Sequence, residues 1–271
     1  MFQPTEELRK LQLRCLDILK VVHKICIDND IQYSLCGGSV VGAHLYKGII
    51  PWDDDIDLMM TRDNYEKFIV ACKKDLPSNY IIQNYKTDNE YYTLFSKVID
   101  TNTTLIQEYQ NNEPVISGVF LDITVYDKVP NNKFLWKIDL LFMKLCMWIF
   151  FSNEAERGLR KLIYKTFGNR QKWIFLLSEK IFKINSKCKD YSYCELFGAF
   201  CNSKKYKKEL FESYTMIYFE DSQYMILRDY VSYLENRYER TDFYEPEDKQ
   251  VPTHYIKVDF ENPYFERKKD E

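Results

Sequence analysis

Four aspartates fall within five positions, Asp53, Asp54, Asp55 and Asp57, about fifteen residues after the paired-glycine turn Gly37-Gly38-Ser39. In an extended segment successive side chains alternate, so Asp53, Asp55 and Asp57 share one face and Asp54, Ile56 and Leu58 take the other. Carboxylates that close repel one another unless a cation sits among them. An oxygen-only donor set, with no histidine or cysteine beside it, suits a hard divalent ion, Mg²⁺ or Mn²⁺, better than zinc or copper. A solvated acidic turn is the competing reading. Pro51-Trp52 before the cluster and Ile56, Leu58, Met59 and Met60 within and after it favour a buried strand.

A fifth carboxylate, Asp122, interrupts the apolar run VFLDITVY from Val119 to Tyr126. Burying an isolated carboxylate there costs several kcal/mol unless a charge compensates it, and an ion shared with Asp55 and Asp57 would do so. A solvent-facing position on an edge strand is the alternative. The glycine-serine turn offers backbone N–H groups at a helix start, where phosphate oxygens are commonly held. A purely structural turn would need glycine as well, and its place one strand before the aspartates favours the phosphate reading.

Competing motifs fail on spacing. Gly37-x₄-Gly42 continues with Ala43-His44, where a P-loop requires lysine and a hydroxyl residue. An EF-hand begun at Asp53 puts Leu58 at the tight turn and Asn64 at the bidentate position. The Asp-x-Asp of a sugar-nucleotide glycosyltransferase usually follows a nucleotide-binding half, and only about fifty residues precede this one. The histidines are His23, His44 and His254, and His23 lies on an apolar helix as a structural residue.

The chain has 271 residues, 45% hydrophobic and 16% aromatic, enough for a substantial core and against disorder. Lys and Arg number 38 against 41 Asp and Glu, so no overall field favours nucleic acid, and any anion binding is local. The N-terminus lacks a basic start, apolar core and small-residue cleavage site, which reads as a cytoplasmic end. Eight cysteines without a C-x₂-C pair read as reduced thiols rather than a zinc site. The most apolar segment, residues 134–151, carries Lys137, Asp139 and Lys144 and is a poor spanning helix. Internal packing is expected for it, with peripheral contact to a bilayer or a lipid-linked acceptor as the alternative.

The elements that must position these residues follow from periodicity. Apolar positions from Leu8 to Cys26 predict a helix over 5–29, ending at Asp28-Asn29-Asp30. A strand over Gln32–Cys36, a short helix through Val40, Val41 and Ala43, and the aspartate strand follow. Asp63 with Glu66 predicts a capped helix lined by Tyr65, Phe68, Ile69 and Cys72 and stopped by Pro77. Strands are expected at 80–83, 92–99, 103–107 and 119–126. Residues 133–210 read as almost continuously helical, with breaks at Ser152-Asn153, Gly168-Asn169 and Asn185-Ser186. A strand near 216–219, a helix over about 229–238 and a loop-like tail after Pro252 complete the chain. The mixture predicts an α+β fold, with a catalytic core over 1–130 and a mainly helical extension over 131–271 completing the same globule.

These residues resemble the LicD family, the bacterial phosphocholine-transferase group that includes the catalytic domains of fukutin and fukutin-related protein. The resemblance rests on GGSVVGAHLYKGIIPWDDDID, on Arg62-Asp63-x-Tyr65, on Lys97-Val98-Ile99-Asp100 with Thr103, and on FLDITVYDKVP around Asp122. It covers about the first 130 residues, with a weaker echo from Tyr233-Leu234 to His254. Where the family usually has an arginine after the short helix, this chain reads His44-Leu45-Tyr46-Lys47-Gly48, so that anion contact is missing or passes to Lys47. The C-terminal echo reads Tyr238-Glu239 and Glu245-Pro246-Glu247, without the family's glycine or double proline.

The resemblance implies a nucleotidyltransferase-like mixed sheet flanked by helices. It also implies transfer of a phospho-alcohol from a CDP-linked donor, CDP-choline or similar, to a sugar hydroxyl of a surface polysaccharide or teichoic-acid precursor. In that scheme Asp55 and Asp57 ligate Mg²⁺, Asp53 assists them, and Asp122 completes the site and accepts the acceptor's proton. Gly37, Gly38 and Ser39 hold phosphate oxygens, with Lys97 and Lys47 as further contacts. Nucleotidyl transfer to a small molecule and a non-catalytic glycan- or nucleotide-binding role are the alternatives.

Overall fold

The computed structural model describes residues 2–88, 91, 95–108, 114–150, 171–195, 204–244 and 255–264. In chain order the elements are α1 (Glu6–Asp28), β1 (Ser34–Leu35), α2 (Gly37–Leu45), β2 (Asp57–Thr61), α3 (Arg62–Asp75), β3 (Tyr80–Gln83) and β4 (Ser96–Asp100). Then come β5 (Thr104–Glu108), β6 (Pro114–Ser117), β7 (Phe120–Pro130), α4 (Lys133–Phe150), α5 (Gln171–Asn185), β8 (Tyr191–Cys194) and β9 (Lys205–Lys207). The chain closes with β10 (Tyr214–Phe219), β11 (Ser222–Leu227), α6 (Tyr230–Tyr238) and β12 (Tyr255–Asp259). This is the mixed α and β architecture the sequence predicts.

The described chain divides into two compact units. The first gathers residues 1–82, 96–124 and 210–271. Its main sheet has the order β1-β2-β7-β4-β3, with β4 antiparallel to β7, and a smaller sheet has the order β12-β5-β6. Helix α1 forms because Thr5 caps its start, accepting from the Leu8 N–H at 3.1 Å, and because its apolar residues recur at helical spacing. Leu8, Leu11, Cys15, Leu16, Leu19, Val22 and Cys26 are all buried, as the stripe predicts. Truncating one of them, Leu11→Ala for example, would cost about 2–5 kcal/mol.

The β10–β11 hairpin anchors the loop that leads into the aspartates. At its tip the Glu220 N–H donates to the Lys47 carbonyl at 2.7 Å. The Glu220 carboxylate accepts from Arg9 Nη2 at 2.6 Å and from the Ile49 N–H at 3.0 Å. Burial is the largest influence on Glu220 and raises its pKa, but the hydrogen bonds from Arg9 and the Ile49 N–H, with the Arg9 charge, together hold the carboxyl below its ordinary value. One acidic side chain thus ties together α1, the hairpin and the turn after α2.

The second unit comprises residues 83–95 and 125–209. Within it the end of β7 pairs antiparallel with β8, and β8 with β9. Helix α4 uses one face for the cluster of Val129, Met143 and Cys194, joined by Trp136 and Leu140. Its other face exposes Phe134, Ile138, Leu141 and Leu145, a stripe at i, i+4, i+7 and i+11. A helix apolar on both faces explains why residues 134–151 look membrane-like in the sequence. Among the described residues no helix is long and apolar enough to cross a membrane.

Several expectations shift. The aspartate strand starts only at Asp57, and Asp53–Ile56 lead into it without ladder pairing. Helix α3 starts at Arg62 after Thr61, so Asp63 and Glu66 sit inside its first turns and form no capping box. Residues 191–194 and 205–207 are strands rather than helix. The aromatic Tyr-Ser-Tyr-Cys segment fits a ladder on β7 better than a helix. Likewise Tyr255–Asp259 pairs with β5 where a loop is predicted. Ser222–Leu227 supplies the second hairpin strand, which the sequence reading omits. Residues 92–94, the breaks at 152–153 and 168–169, Cys201, residues 245–247 and His254 lie outside the described residues.

Candidate active site

Residues 53–57 are held from two sides before any ligand is considered. Gln12, a buried amide on α1, donates to the carbonyls of Ile50, Pro51 and Asp53 at 3.3, 3.3 and 2.8 Å. The Asp57 N–H donates to Ser39 Oγ at 2.9 Å, and the Asp57 carbonyl accepts from the Cys36 N–H at 2.9 Å. On the opposite flank the Asp122 N–H donates to the Ile56 carbonyl at 3.2 Å. Rigid backbone on both sides fixes where the carboxylates point.

The alternation read from the sequence holds although the segment is only partly strand. Asp54, Ile56 and Leu58 are buried, whereas Asp53, Asp55 and Asp57 are half-buried. Carboxylate oxygens of Asp55, Asp57 and Asp122 all lie within 4.8 Å of one another, as do those of Asp53, Asp54 and Asp55. Burial, with the charges of Asp53, Asp57, Asp54 and Asp122 around it, pushes the Asp55 carboxyl well above its ordinary value. The same cluster, after burial itself, pushes up the Cys15 thiol, whose Sγ lies 3.8 Å from the Asp54 carbonyl.

Lys97 faces this cluster from β4. In the β4–β7 register it lies directly opposite Asp122, and its Nζ is 3.5 Å from Asp122 Oδ1 and 2.9 Å from the centroid of the Phe120 ring. Burial lowers the Lys97 pKa, and Asp122, Asp55 and Asp57 only partly restore it. Asp122 is therefore turned toward the acidic cluster, which excludes the solvent-facing alternative.

The glycine turn closes the site. Gly37 adopts φ +50°, a conformation that disfavours a side chain. A Cβ built on it would sit 3.5 Å from Asp57 Oδ2 and 3.5 and 3.6 Å from Nη2 and Nε of Arg237. A Cβ on Gly38 would come within 2.9 Å of Asp53 Oδ2. The Gly37 N–H donates to the Tyr233 hydroxyl at 3.2 Å, and the Ser39 N–H to the Cys36 carbonyl at 3.0 Å. The Gly38 amide is the turn donor without a partner among the described residues.

The site therefore gathers Asp53, Asp55, Asp57, Asp122, Lys97, Gly37 and Gly38. Ser39 joins it differently, because its buried hydroxyl is used to seat Asp57. Lys47 is exposed, with φ +60° and its Nζ 3.4 Å from the His44 carbonyl, and no described contact joins it to the carboxylates. His44 pairs with the Tyr230 hydroxyl at 3.3 Å and His23 with that of Tyr33 at 2.7 Å, both tying helices to their neighbours. Asp100 and Thr103 also serve the scaffold: Asp100 meets Arg14 at 2.9 Å, and Thr103 Oγ1 accepts from the Val119 N–H at 2.8 Å.

Two participants escape the sequence reading. Gln12 is a polar residue inside an apolar stripe, a signal that a buried amide must find partners. Arg237 carries no such signal, because α6 brings it to the turn through the fold alone.

The donor set fits a hard ion. Its ligands are all carboxylate oxygens, from two chain segments, mutually repelling when alone. Ligand oxygens around one Mg²⁺ with bonds of about 2.1 Å lie about 3.0–4.2 Å apart, so a spread within 4.8 Å needs only small side-chain rotations.

The chain also matches known proteins. A family model described as "LicD/FKTN/FKRP, nucleotidyltransferase domain" matches residues 30–149, a span that contains the glycine turn, the aspartates, Lys97 and Asp122. The chain is 31% identical over 261 residues to the lipopolysaccharide cholinephosphotransferase LicD of Haemophilus influenzae, covering 91% of this chain and 96% of that protein. It is also 26% identical over 119 residues to the uncharacterized protein RP689 of Rickettsia prowazekii, covering 37% of this chain and 41% of that one.

Proposed function

We infer the reaction from the premise that this chain belongs to the LicD family: it moves phosphocholine, or a close phospho-alcohol, from a CDP-linked donor to a sugar hydroxyl of a cell-surface glycan precursor. The observation that carries the reading is the convergence of Asp55, Asp57 and Asp122 within 4.8 Å at a glycine turn. Such a site belongs to a nucleotidyltransferase-like core.

Asp55, Asp57 and Asp122 would hold Mg²⁺ or Mn²⁺, with Asp53 beside them. When bound, the ion supplies charge neutralisation at the phosphoryl oxygens. The residues themselves do the positioning. The Gly38 amide points a donor at the phosphates, and the missing side chains of Gly37 and Gly38 let the donor approach the backbone. Gln12 and Ser39 keep Asp53 and Asp57 in register, so the acidic face does not rearrange as the donor enters. Asp122 lies on β7, away from the segment that carries Asp55 and Asp57, and is the residue to receive the acceptor hydroxyl's proton. Lys97, 3.5 Å from Asp122, steadies that carboxylate as it changes charge. In-line displacement at phosphorus needs little covalent participation from the protein, and this arrangement offers orientation and charge.

The acceptor is a lipopolysaccharide or related glycan, and the exposed stripe on α4 supports a peripheral contact with the membrane that carries such precursors. Lys133, Lys137 and Lys144 are exposed on the same helix and would face anionic headgroups.

The test is a panel of CDP-choline, CDP-ethanolamine, CDP-glycerol and CDP-ribitol with Mg²⁺ and a sugar acceptor, scoring CMP release and the phospho-alcohol adduct. CMP with an adduct from one donor supports the reading. Pyrophosphate with a nucleotidylated product from CTP, and no CMP from any CDP-alcohol, rejects it.

A further inference from the structure

We propose that Arg237 is the cation that grips the donor's diphosphate at the glycine turn. This assignment rests on the donor reading above and adds a binding residue from outside the span that the family model matches.

The turn is acidic. Asp57 Oδ2 borders the space beside Gly37 and Asp53 Oδ2 borders Gly38. A diphosphate seated there lies against these carboxylates as well as the Gly38 amide, and the amide alone does not offset their repulsion. A second positive group is needed beside the turn. Arg237 stands there, with Nε and Nη2 both facing the point a Cβ would occupy on Gly37, at 3.6 and 3.5 Å. Those two nitrogens form the side-on edge of the guanidinium, the fork that matches two oxygens of a phosphate. The same point is 3.5 Å from Asp57 Oδ2, so the arginine fork and a carboxylate ligand both border it. A phosphate oxygen at that point would take the arginine's N–H groups, and an ion held by Asp57 would offset the carboxylate's charge.

The fold holds α6 in place for this purpose. Tyr233 is fully buried, and its hydroxyl accepts from the Gly37 N–H at 3.2 Å and lies 3.2 Å from Cys36 Sγ. Arg237 follows Tyr233 by four residues and so lies on the same face of α6. The Tyr238 ring packs beside Arg237, whose Cζ lies 6.0 Å from its centroid. Asp229 caps the helix start by accepting from the Ser232 N–H, and Glu239 ends it with φ +54°. The register of α6 is thereby fixed at both ends and at the turn. A lysine could supply the charge without the fork.

The experiment compares wild type, Arg237→Lys and Arg237→Gln for transfer from CDP-choline at saturating acceptor. It also measures CDP binding by calorimetry with Mn²⁺ present, Mn²⁺ affinity and Tm. Arg237→Gln is expected to raise donor KM at least ten-fold, with a smaller fall in kcat, and to weaken CDP binding in parallel. Mn²⁺ affinity and Tm stay near wild type. Arg237→Lys recovers part of the loss. Should Arg237 serve only to neutralise Asp57, the glutamine variant would bind Mn²⁺ differently while donor KM and CDP affinity held, and the proposal would be overturned. If wild type turns over no CDP-alcohol, the donor reading fails by itself. CDP binding then decides alone: weaker in the variants upholds the phosphate grip, and equal binding rejects it. If Arg237→Gln does not fold, the lysine variant carries the same comparison.

Discussion

Replacing Asp55 by asparagine should make the metal-free protein more stable and the enzyme inactive. At a separation of 4.8 Å, two carboxylates repel by about 3.5 kcal/mol at an effective dielectric constant of about 20, and by about 0.9 kcal/mol in bulk water. Asp55 belongs to both acidic groups and so takes part in several such pairs. Its raised pKa means that protonation already relieves part of the repulsion, and Lys97 beside Asp122 offsets another part. The net gain expected for Asp55→Asn in EDTA is about 1–3 kcal/mol, a Tm rise of about 2–10 °C for a unit of this size. The pH dependence follows from the sign of the shift. A carboxyl whose folded pKa exceeds its unfolded value of about 3.9 binds protons more readily in the fold, so its stabilising share is complete below that pH. That share is lost as pH rises through the folded value. Wild type in EDTA should therefore lose stability from about pH 4 upward, and Asp55→Asn should flatten the slope. Added Mg²⁺ should raise the wild-type Tm and leave the variant's unchanged. Differential scanning fluorimetry from pH 4 to 8, with EDTA or Mg²⁺, reads all of this. A variant less stable than wild type in EDTA, with an undiminished Mg²⁺ shift, would refute the reasoning.

Other consequences can be checked separately. Gly37→Ala forces a side chain into φ +50° beside Arg237 and Asp57, so it should cost about 1–2 kcal/mol and depress transfer, as thermal melts and CMP release would reveal. Glu220→Gln weakens the tie to Arg9 and Ile49 and should destabilise by about 1–3 kcal/mol. Because the Glu220 pKa is lowered, its contribution is present above the unfolded carboxyl range and fades as pH falls through the folded value. The variant should thus converge with wild type in acid melts. Ile138→Glu with Leu141→Glu should abolish cosedimentation with anionic vesicles while leaving transfer to a soluble acceptor intact, whereas unchanged cosedimentation removes the membrane contact.

The acidic face was legible because alternation survives even where ladder pairing does not: Asp53–Ile56 lie outside β2, yet their burial still switches residue by residue. Asp122 was legible for an energetic reason, a lone charge within an apolar strand. The glycine turn was legible as a turn, but the uses of its donors were not. Gly37 and Ser39 spend their amides on Tyr233 and Cys36, and Ser39 spends its hydroxyl on Asp57. Those partners are set by packing between elements far apart in sequence. Arg237 lies about two hundred residues from the turn it borders, and nothing in its local pattern marks it. The strands at 191–194, 205–207 and 255–259 were missed for the same cause, since each is short and takes its conformation from the neighbour it pairs with. Lys47, to which the resemblance passes an anion contact, is exposed at the turn after α2.

Asp57 on β2 and Asp122 on β7 are proposed to share one divalent ion. Titrating the protein with Mn²⁺ while following the free-ion electron paramagnetic resonance signal tests it most directly, using wild type beside Asp57→Asn and Asp122→Asn. Saturable binding in wild type that is lost or weakened at least ten-fold by either substitution is the predicted result. Binding that ignores Asp122→Asn, or a wild type that never depletes the free ion, would contradict it.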